Sequence, residues 1–495
     1  MSDIIFITGR EAAGRLSQIV GEENIFVSDS PVASLINLET LASELFQKKV
    51  SASLFVVPGQ IVGDASVITE KTGIPCVKGP KHLANLKLMV GEIGSSSFSP
   101  SRPAEDVLRD RIVAENKVIL SKGRNPSKLV LSIGSENKVH LNGLCRVIAE
   151  IPDAPQLSDE ELVSRAKYYI NSGASIIDLG MISGKDYSEK IQEMISTLKS
   201  SVDAPLSVDS MSEKEILSAV DSGADLILSL DAKTIDISKS LDVPAVIVPR
   251  DKSGKIPEIV GKRVALLEEI ISKADCPCIA DPILTPLGGG FSWSLAAYIK
   301  FRGRNPDTPM LFGAGNVSEL ADADSLGMNM VLAGIASEMN FQLLFTTEAS
   351  VKTRGCVSEI SKACEMMYIA KQGGQPPKDL GLDLLKLKDK FLVEQVFDPK
   401  KLDVPVVEHL VEVPLSLGGG YFKISVSDGR IFTVYYSGGK PEKVFKGETA
   451  KQIYSEVVNR ELVDASHAAY LGSELAKAEI ALKLKKNYVQ DEDLF

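Results

Sequence analysis

Three short segments constrain this chain more than any other feature. They are SIIDLG with Asp178, PLSVDS with Asp209 and PCIADP with Asp281. In each, an apolar run rich in β-branched residues stops on an Asp, and Gly, Ser or Pro follows. That pattern predicts a buried parallel strand delivering a carboxylate to the loop at its C-terminal end. Three acids converging there would repel one another without a cationic or hydrogen-bond-donating partner. The pattern therefore calls for a small molecule with an amidine-like donor edge, or a metal.

The chain around these segments is long enough for two or three domains, at 495 residues. Its 44% apolar and 24% charged residues are those of a soluble globular protein. The net charge of −11 argues against broad nucleic-acid binding. The six cysteines are scattered and imply no disulfide framework, so a cytoplasmic location is expected. Cys276 and Cys278 form C-x-C at the start of an apolar strand, which reads as packing and not as a metal site. The N-terminal residues do not read as a signal peptide, and no window is long and apolar enough for a membrane span.

Residues 1–92 alternate strand patterns (IIFIT, NIFVSD, ASLFVVPG, IPCVKG) with helical stretches. They predict a small Rossmann- or flavodoxin-like α/β domain with a parallel sheet. Its turn Thr8-Gly9-Arg10 lacks the residues of a phosphate loop and reads as a plain strand-to-helix turn. Residues 93–142 begin Ser- and Pro-rich and read as a linker, partly helical. From 143 to 375 strand candidates recur between helices: CRVIAEI, SIIDLG, PLSVDS, ADLILSL, PAVIVP, PCIADP, PMLFGAG and NMVLAG. Eight such units fit a (β/α)8 TIM barrel, with an open doubly wound sheet as the rival. The barrel would gather all three Asp residues at one face. Residues 376–495 break the rhythm and read as an α+β domain. Antiparallel strands are expected at VPVVEHLVEVPLS, YFKISVS and RIFTVYYSGG, the last two joined at Ser427-Asp428-Gly429. Two helices follow, the second starting near Ser466. His467 at that start reads as structural. Phe291 and Trp293 read as core or loop packing, with an aromatic lid over a flat ligand as the other use.

Four motifs in order resemble the pterin-binding family of dihydropteroate synthases and pterin-dependent methyltransferases. YINSGASIIDLG resembles the family's first acid-bearing strand, PLSVDS the next, and CIADPILTPLGGGF its D-P-G-x-G-F segment. LFGAGNVSEL resembles the methyltransferase form of the following loop. The whole arrangement is similar to archaeal dihydropteroate synthase-related proteins. The resemblance implies a central pterin-binding barrel with Asp281 on the 2-amino-4-oxo edge of the ring. It implies Asp209 and Asp178 near the other ring as catalytic and pterin-binding groups, and Ser229 and Asn316 as further pterin contacts.

The departures from the family pattern matter as much. Glu150 stands near the place where synthases carry an Asn that meets a metal, so Glu150 is the candidate Mg²⁺ ligand. The synthase Lys of the seventh-strand loop and the Arg-x-His after the eighth strand are absent. Arg250, Lys352 and Arg354 are then the candidate phosphate-binding cations. Two enzyme readings follow from the resemblance. One joins a hydroxymethyl-dihydropterin pyrophosphate to an arylamine, in folate or tetrahydromethanopterin biosynthesis. The other passes a methyl group from a methyl-tetrahydropterin to a corrinoid protein or another acceptor. A non-catalytic pterin-binding module is a third. The expected partner is a small-molecule pterin, with neither nucleic acid nor membrane, and a homodimer is one assembly open to it.

Overall fold

A computed structural model of the chain describes residues 3–124, 128–135, 137–390 and 420–495. The first ninety residues build a parallel sheet from β1 (Ile4–Thr8), β2 (Ile25–Val27), β3 (Leu54–Val57) and β4 (Cys76–Lys78). Its order is β2-β1-β3-β4. Short apolar strands with both faces covered explain the pairing. One face packs on helix Leu38–Gln47, which buries Leu38, Leu41, Ala42 and Leu45 at helical spacing. Asn37 caps this helix by accepting from the Thr40 N–H at 2.9 Å. The other face packs Phe6 and Val56 against Leu16, Leu86 and Met89.

Helix Glu105–Arg124 follows, then an antiparallel hairpin of β5 (Leu129–Ile133) and β6 (Asn137–His140). Leu131, Ile133 and Val139 of the hairpin pack with Ile148, Ile176, Leu226 and Leu343. At Gly134 a Cβ would lie 3.1 Å from Asp225 and 3.3 Å from Pro205, residues that precede strands of the next sheet. The hairpin therefore plugs the N-terminal end of the barrel. Sequence reading left this segment as a linker because its two strands are only five and four residues long and the second, Asn-Lys-Val-His, has one apolar residue.

The barrel strands are β7 (Arg146–Ile151), β8 (Ile176–Gly180), β9 (Leu206–Asp209), β10 (Leu226–Leu230), β11 (Ala245–Ile247), β12 (Cys278–Ala280), β13 (Leu311–Gly313) and β14 (Leu343–Thr347). All pair in parallel, with β7 between β8 and β14. A bridge between Ala280 and Met310 joins β12 to β13 and closes the ring. Alternation sends Val147, Ala149 and Ile151 outward to the helices and Ile148 inward, with Glu150 on the inward side. Register then sets Glu150 beside Asp178, Asp178 beside Ser207, and Gly180 beside Asp209. Two of the barrel helices begin on side-chain caps, Ser158 in a capping box with Glu161 before Asp159–Asn171 and Ser212 before Glu213–Asp221.

One expected strand is a helix. NMVLAG (residues 329–334) lies inside helix Ser325–Glu338, and the eighth strand is Leu343–Thr347. Burial of Asn329, Leu332, Ala333 and Ala336, with Val331 61% exposed, is a helical repeat that a short apolar window hides.

β15 (Tyr421–Ser427), β16 (Arg430–Ser437) and β17 (Lys440–Gly447) form an antiparallel sheet. Asp428 and Gly429 turn the first hairpin with φ of 49° and 70°, as a two-residue turn of this hand requires. β17 had no sequence expectation, since four of its first five residues are Lys, Pro, Glu and Lys. Helices Ala450–Asn459 and Ala465–Leu484 cover one face. Asp464, and not Ser466, caps the second, accepting from the His467 N–H at 2.8 Å. The strand expected at VPVVEHLVEVPLS lies outside the described residues. Among the described residues no helix is long and apolar enough to cross a membrane.

Candidate functional site

A cavity of about 790 Å³ opens at the C-terminal ends of the barrel strands. This is the face where loops of such barrels assemble their sites. Glu150, Asp209, Ser229, Arg250, Asp281 and Asn316 all line it. Asp178 lies beneath, fully buried.

Glu150, Asp178 and Asp209 each bring one carboxylate oxygen to within 4.8 Å of the others. Ser207 Oγ donates to Asp178 Oδ1 at 2.6 Å. Asp178 Oδ2 is buried and has no hydrogen-bond partner. Gly180 makes room for the cluster: a Cβ there would lie 2.5 Å from Glu150 Oε1. Burial first, then the charges of Asp209 and Glu150, push the Asp178 carboxyl well above the usual range. Burial also raises Asp209 to about 7, with Glu150 and Asp281 adding to the rise and Arg250 opposing it. Glu150 is raised too, chiefly by burial. Three carboxylates this close, one with an orphaned oxygen, do not all ionise without a proton, an N–H donor or a cation. An all-oxygen set of this kind fits a hard divalent cation.

Asp281 follows β12 and lines the same cavity. The Tyr298 hydroxyl and the Ile283 N–H, the latter at 2.7 Å, both donate to its Oδ1. Both of these bonds fall on Oδ1, and among the described residues none reaches Oδ2, which is left to the cavity that Asp281 lines. Burial lifts this carboxyl to about 6, against the pull of Tyr298, Ile283 and Arg263. Asn316, in the turn after β13, donates its amide to the Leu284 carbonyl at 2.9 Å, which keeps its side-chain oxygen as an acceptor. Ser229 lies on β10, and Asp231 is engaged locally with Lys233 and Thr234.

The cations sort differently from expectation. Arg250 lines the cavity and reaches Met211 Sδ. Lys352 and Arg354 do not line it, and Lys352 pairs with Asp322 at 2.8 Å. Lys185, in the loop after β8, does line it. Its neighbour Asp186 pairs with Lys214 at 2.5 Å, and Glu215 accepts from the Tyr187 N–H at 2.8 Å, so the C-terminal end of this loop is tied to helix Glu213–Asp221. Trp293 is exposed and does not line the cavity. Sequence reasoning missed Lys185, Ser207 and Tyr298. Ser207 alone carried a signal, since alternation places it two residues before Asp209.

Fold and site define an eight-stranded parallel barrel with a carboxylate-lined cavity at the C-terminal ends of its strands. A family model described as pterin binding enzyme matches residues 153–271, and one described as PterinBD-DUF4346 matches 418–491. Uncharacterized protein MJ0107 of Methanocaldococcus jannaschii is 32% identical over 523 residues, covering 99% of each chain. The chain belongs to the pterin-binding family. Among solved structures it is similar to the dihydropteroate synthase of Thermus thermophilus, with 18% identity, 44% of this chain and 92% of that one covered, and a TM-score of 0.35. The Yersinia pestis enzyme is similar at 15% identity over 49% of this chain and 99% of that one, with a TM-score of 0.39.

Proposed function

We propose that the barrel binds a hydroxymethyl-dihydropterin pyrophosphate and joins it to an arylamine. The observation that carries this reading is that one cavity is lined both by the acceptor Asp281 and by the cations Arg250 and Lys185. Asp281, with Oδ1 occupied by Tyr298 and Ile283 and Oδ2 open, suits the 2-amino and ring N–H donors of the pterin. Arg250 and Lys185 line the same cavity and suit the pyrophosphate.

In the reaction the C–O bond to pyrophosphate breaks and its electron pair leaves with the pyrophosphate. The arylamine lone pair forms the new C–N bond, and one N–H proton is lost. Asp209, raised to about 7, is placed to receive that proton near neutral pH. Arg250 and Lys185 stabilise the departing charge. Glu150 with Asp178 would hold Mg²⁺, which would supply further charge neutralisation to the pyrophosphate. The protein's contribution is orientation and electrostatic stabilisation.

A second reading, methyl transfer from a methyl-tetrahydropterin to a corrinoid or another acceptor, draws on one observation. Asp209 and Asn316 line one cavity, and a carboxyl titrating near 7 is a proton donor suited to the ring nitrogen that loses the methyl group. The test incubates the protein with each pterin in turn. Release of pyrophosphate with formation of a pterin–arylamine product supports the synthase. Methyl loss from the tetrahydropterin supports the transferase. Binding of a pterin with neither product leaves a binding module.

A further inference from the structure

The N-terminal sheet holds a second cavity, of about 350 Å³, that the barrel chemistry does not use. It lies at the carboxyl edge of the sheet. Thr8 ends β1 there, Pro58 follows β3, and Gly79 and Pro80 follow β4. β1 and β3 are neighbours whose connections leave toward opposite faces. Helix Ala13–Val20 packs on the face of Phe6 and Val56, whereas helices Leu38–Gln47 and Ser66–Thr72 pack on that of Ile7, Phe55 and Val57. The chain diverges between them and opens a crevice, the place where parallel α/β sheets take ligands. Backbone closes its base. A Cβ at Gly59 would meet the Gly79 carbonyl at 2.3 Å, and one at Gly9 would meet the Ala33 nitrogen at 2.7 Å.

The walls define what fits. Leu16, Val56, Leu83 and Leu86 make an apolar slot, and Thr8, Glu11, Ser34 and Gln60 line the same cavity beside it. At the rim, Lys81 Nζ lies 3.4 Å from Asp379, and the Gln60 amide donates to the Lys81 carbonyl at 2.7 Å. Arg15 is also at the rim, and among the described residues its guanidinium has neither a hydrogen bond nor an ion pair. A free guanidinium beside an apolar slot matches a carboxylate or phosphate attached to a flat ring. At roughly 30 Å³ per water the volume corresponds to about a dozen waters, which suits one or two rings and not a dinucleotide.

We propose that the N-terminal sheet binds a small aromatic monoanion, with its ring in the slot of Leu16, Val56 and Leu86 and its anionic group on Arg15. This site is independent of the barrel reaction. The test uses the full chain with labelled Leu and Val methyl groups, followed by NMR. Benzoate supplies ring and charge, benzyl alcohol the ring alone, and phenyl phosphate the other anion. Benzoate or phenyl phosphate should shift the methyls of Leu16, Val56 and Leu86, and the tighter of the two names the anion. Arg15→Ala should weaken that binding about tenfold while leaving benzyl alcohol unchanged. The Asp281→Asn variant, altered only in the barrel, should keep the same shifts. Absence of shifts at these methyls up to about 10 mM of either anion overturns the proposal. So does equal affinity of Arg15→Ala, or shifts confined to barrel methyls.

Discussion

Ser207 Oγ donates to Asp178 Oδ1 at 2.6 Å, and the other oxygen of Asp178, also buried, has no partner among the described residues. One side of the carboxylate is thereby fixed, and the other is presented to Glu150 and Asp209. Ser207→Ala should release it. The folded protein is expected to lose pterin affinity by on the order of 1–2 kcal/mol, read by calorimetry, with little change in melting temperature. A large loss of stability with unchanged affinity would make the bond structural.

Asp281→Asn should abolish pterin binding and leave the fold intact. One acceptor becomes a donor facing ligand N–H groups, and the loss of such a buried pair costs on the order of 2–4 kcal/mol. Unchanged affinity in a calorimetric titration would show that this acid does not hold the pterin edge. Tyr298→Phe, which removes one donor from Oδ1, should give a smaller loss in the same direction.

The raised acids make a pH prediction. Asp209 has an ordinary value of 3.8 and stands near 7 in the folded ligand-free chain. A group raised by folding binds its proton more tightly in the native state. Its contribution is fully present below 3.8 and is lost as pH rises toward about 7. The wild type should therefore lose stability relative to Asp209→Asn across that window, measured as the difference between their melting temperatures. A flat difference would mean that Asp209 is not held in a charge-averse setting. The change belongs to the coupled cluster with Glu150 and Asp178, and not to Asp209 alone.

The acid-bearing strands were legible in the sequence because burial and alternation act locally. An apolar run ending on Asp before Gly, Ser or Pro carries its own direction, and the parallel register then aligns Glu150, Asp178 and Asp209. What was not legible depends on contacts between distant residues. Tyr298 reaches Asp281 from the following helix, and nothing at YIKF marks it as a polar partner. Lys185 lies in a short Ser-Gly-Lys-Asp turn that reads as solvent-exposed. Lys352 and Arg354 do follow the eighth strand, Leu343–Thr347, but neither lines the cavity, and Lys352 pairs with Asp322, a contact that nothing local in TTEASVKTRG announces.

The cations that line the cavity give a further test. Arg250→Ala with Lys185→Ala should weaken a pyrophosphorylated pterin by at least about tenfold more than the unphosphorylated alcohol, since only the former uses those charges. Removing Lys352 and Arg354 together should leave both affinities nearly unchanged. The reverse pattern would move the anion site to the loop after β14.

The most direct measurement titrates the purified full chain with hydroxymethyl-dihydropterin pyrophosphate and with methyl-tetrahydropterin, each with and without Mg²⁺, by calorimetry. The account predicts that the pyrophosphate binds, that Mg²⁺ tightens it selectively, and that Asp281→Asn abolishes it. Tight binding of methyl-tetrahydropterin indifferent to Mg²⁺ would contradict the synthase reading, and binding of neither pterin would contradict the assignment of this cavity to a pterin.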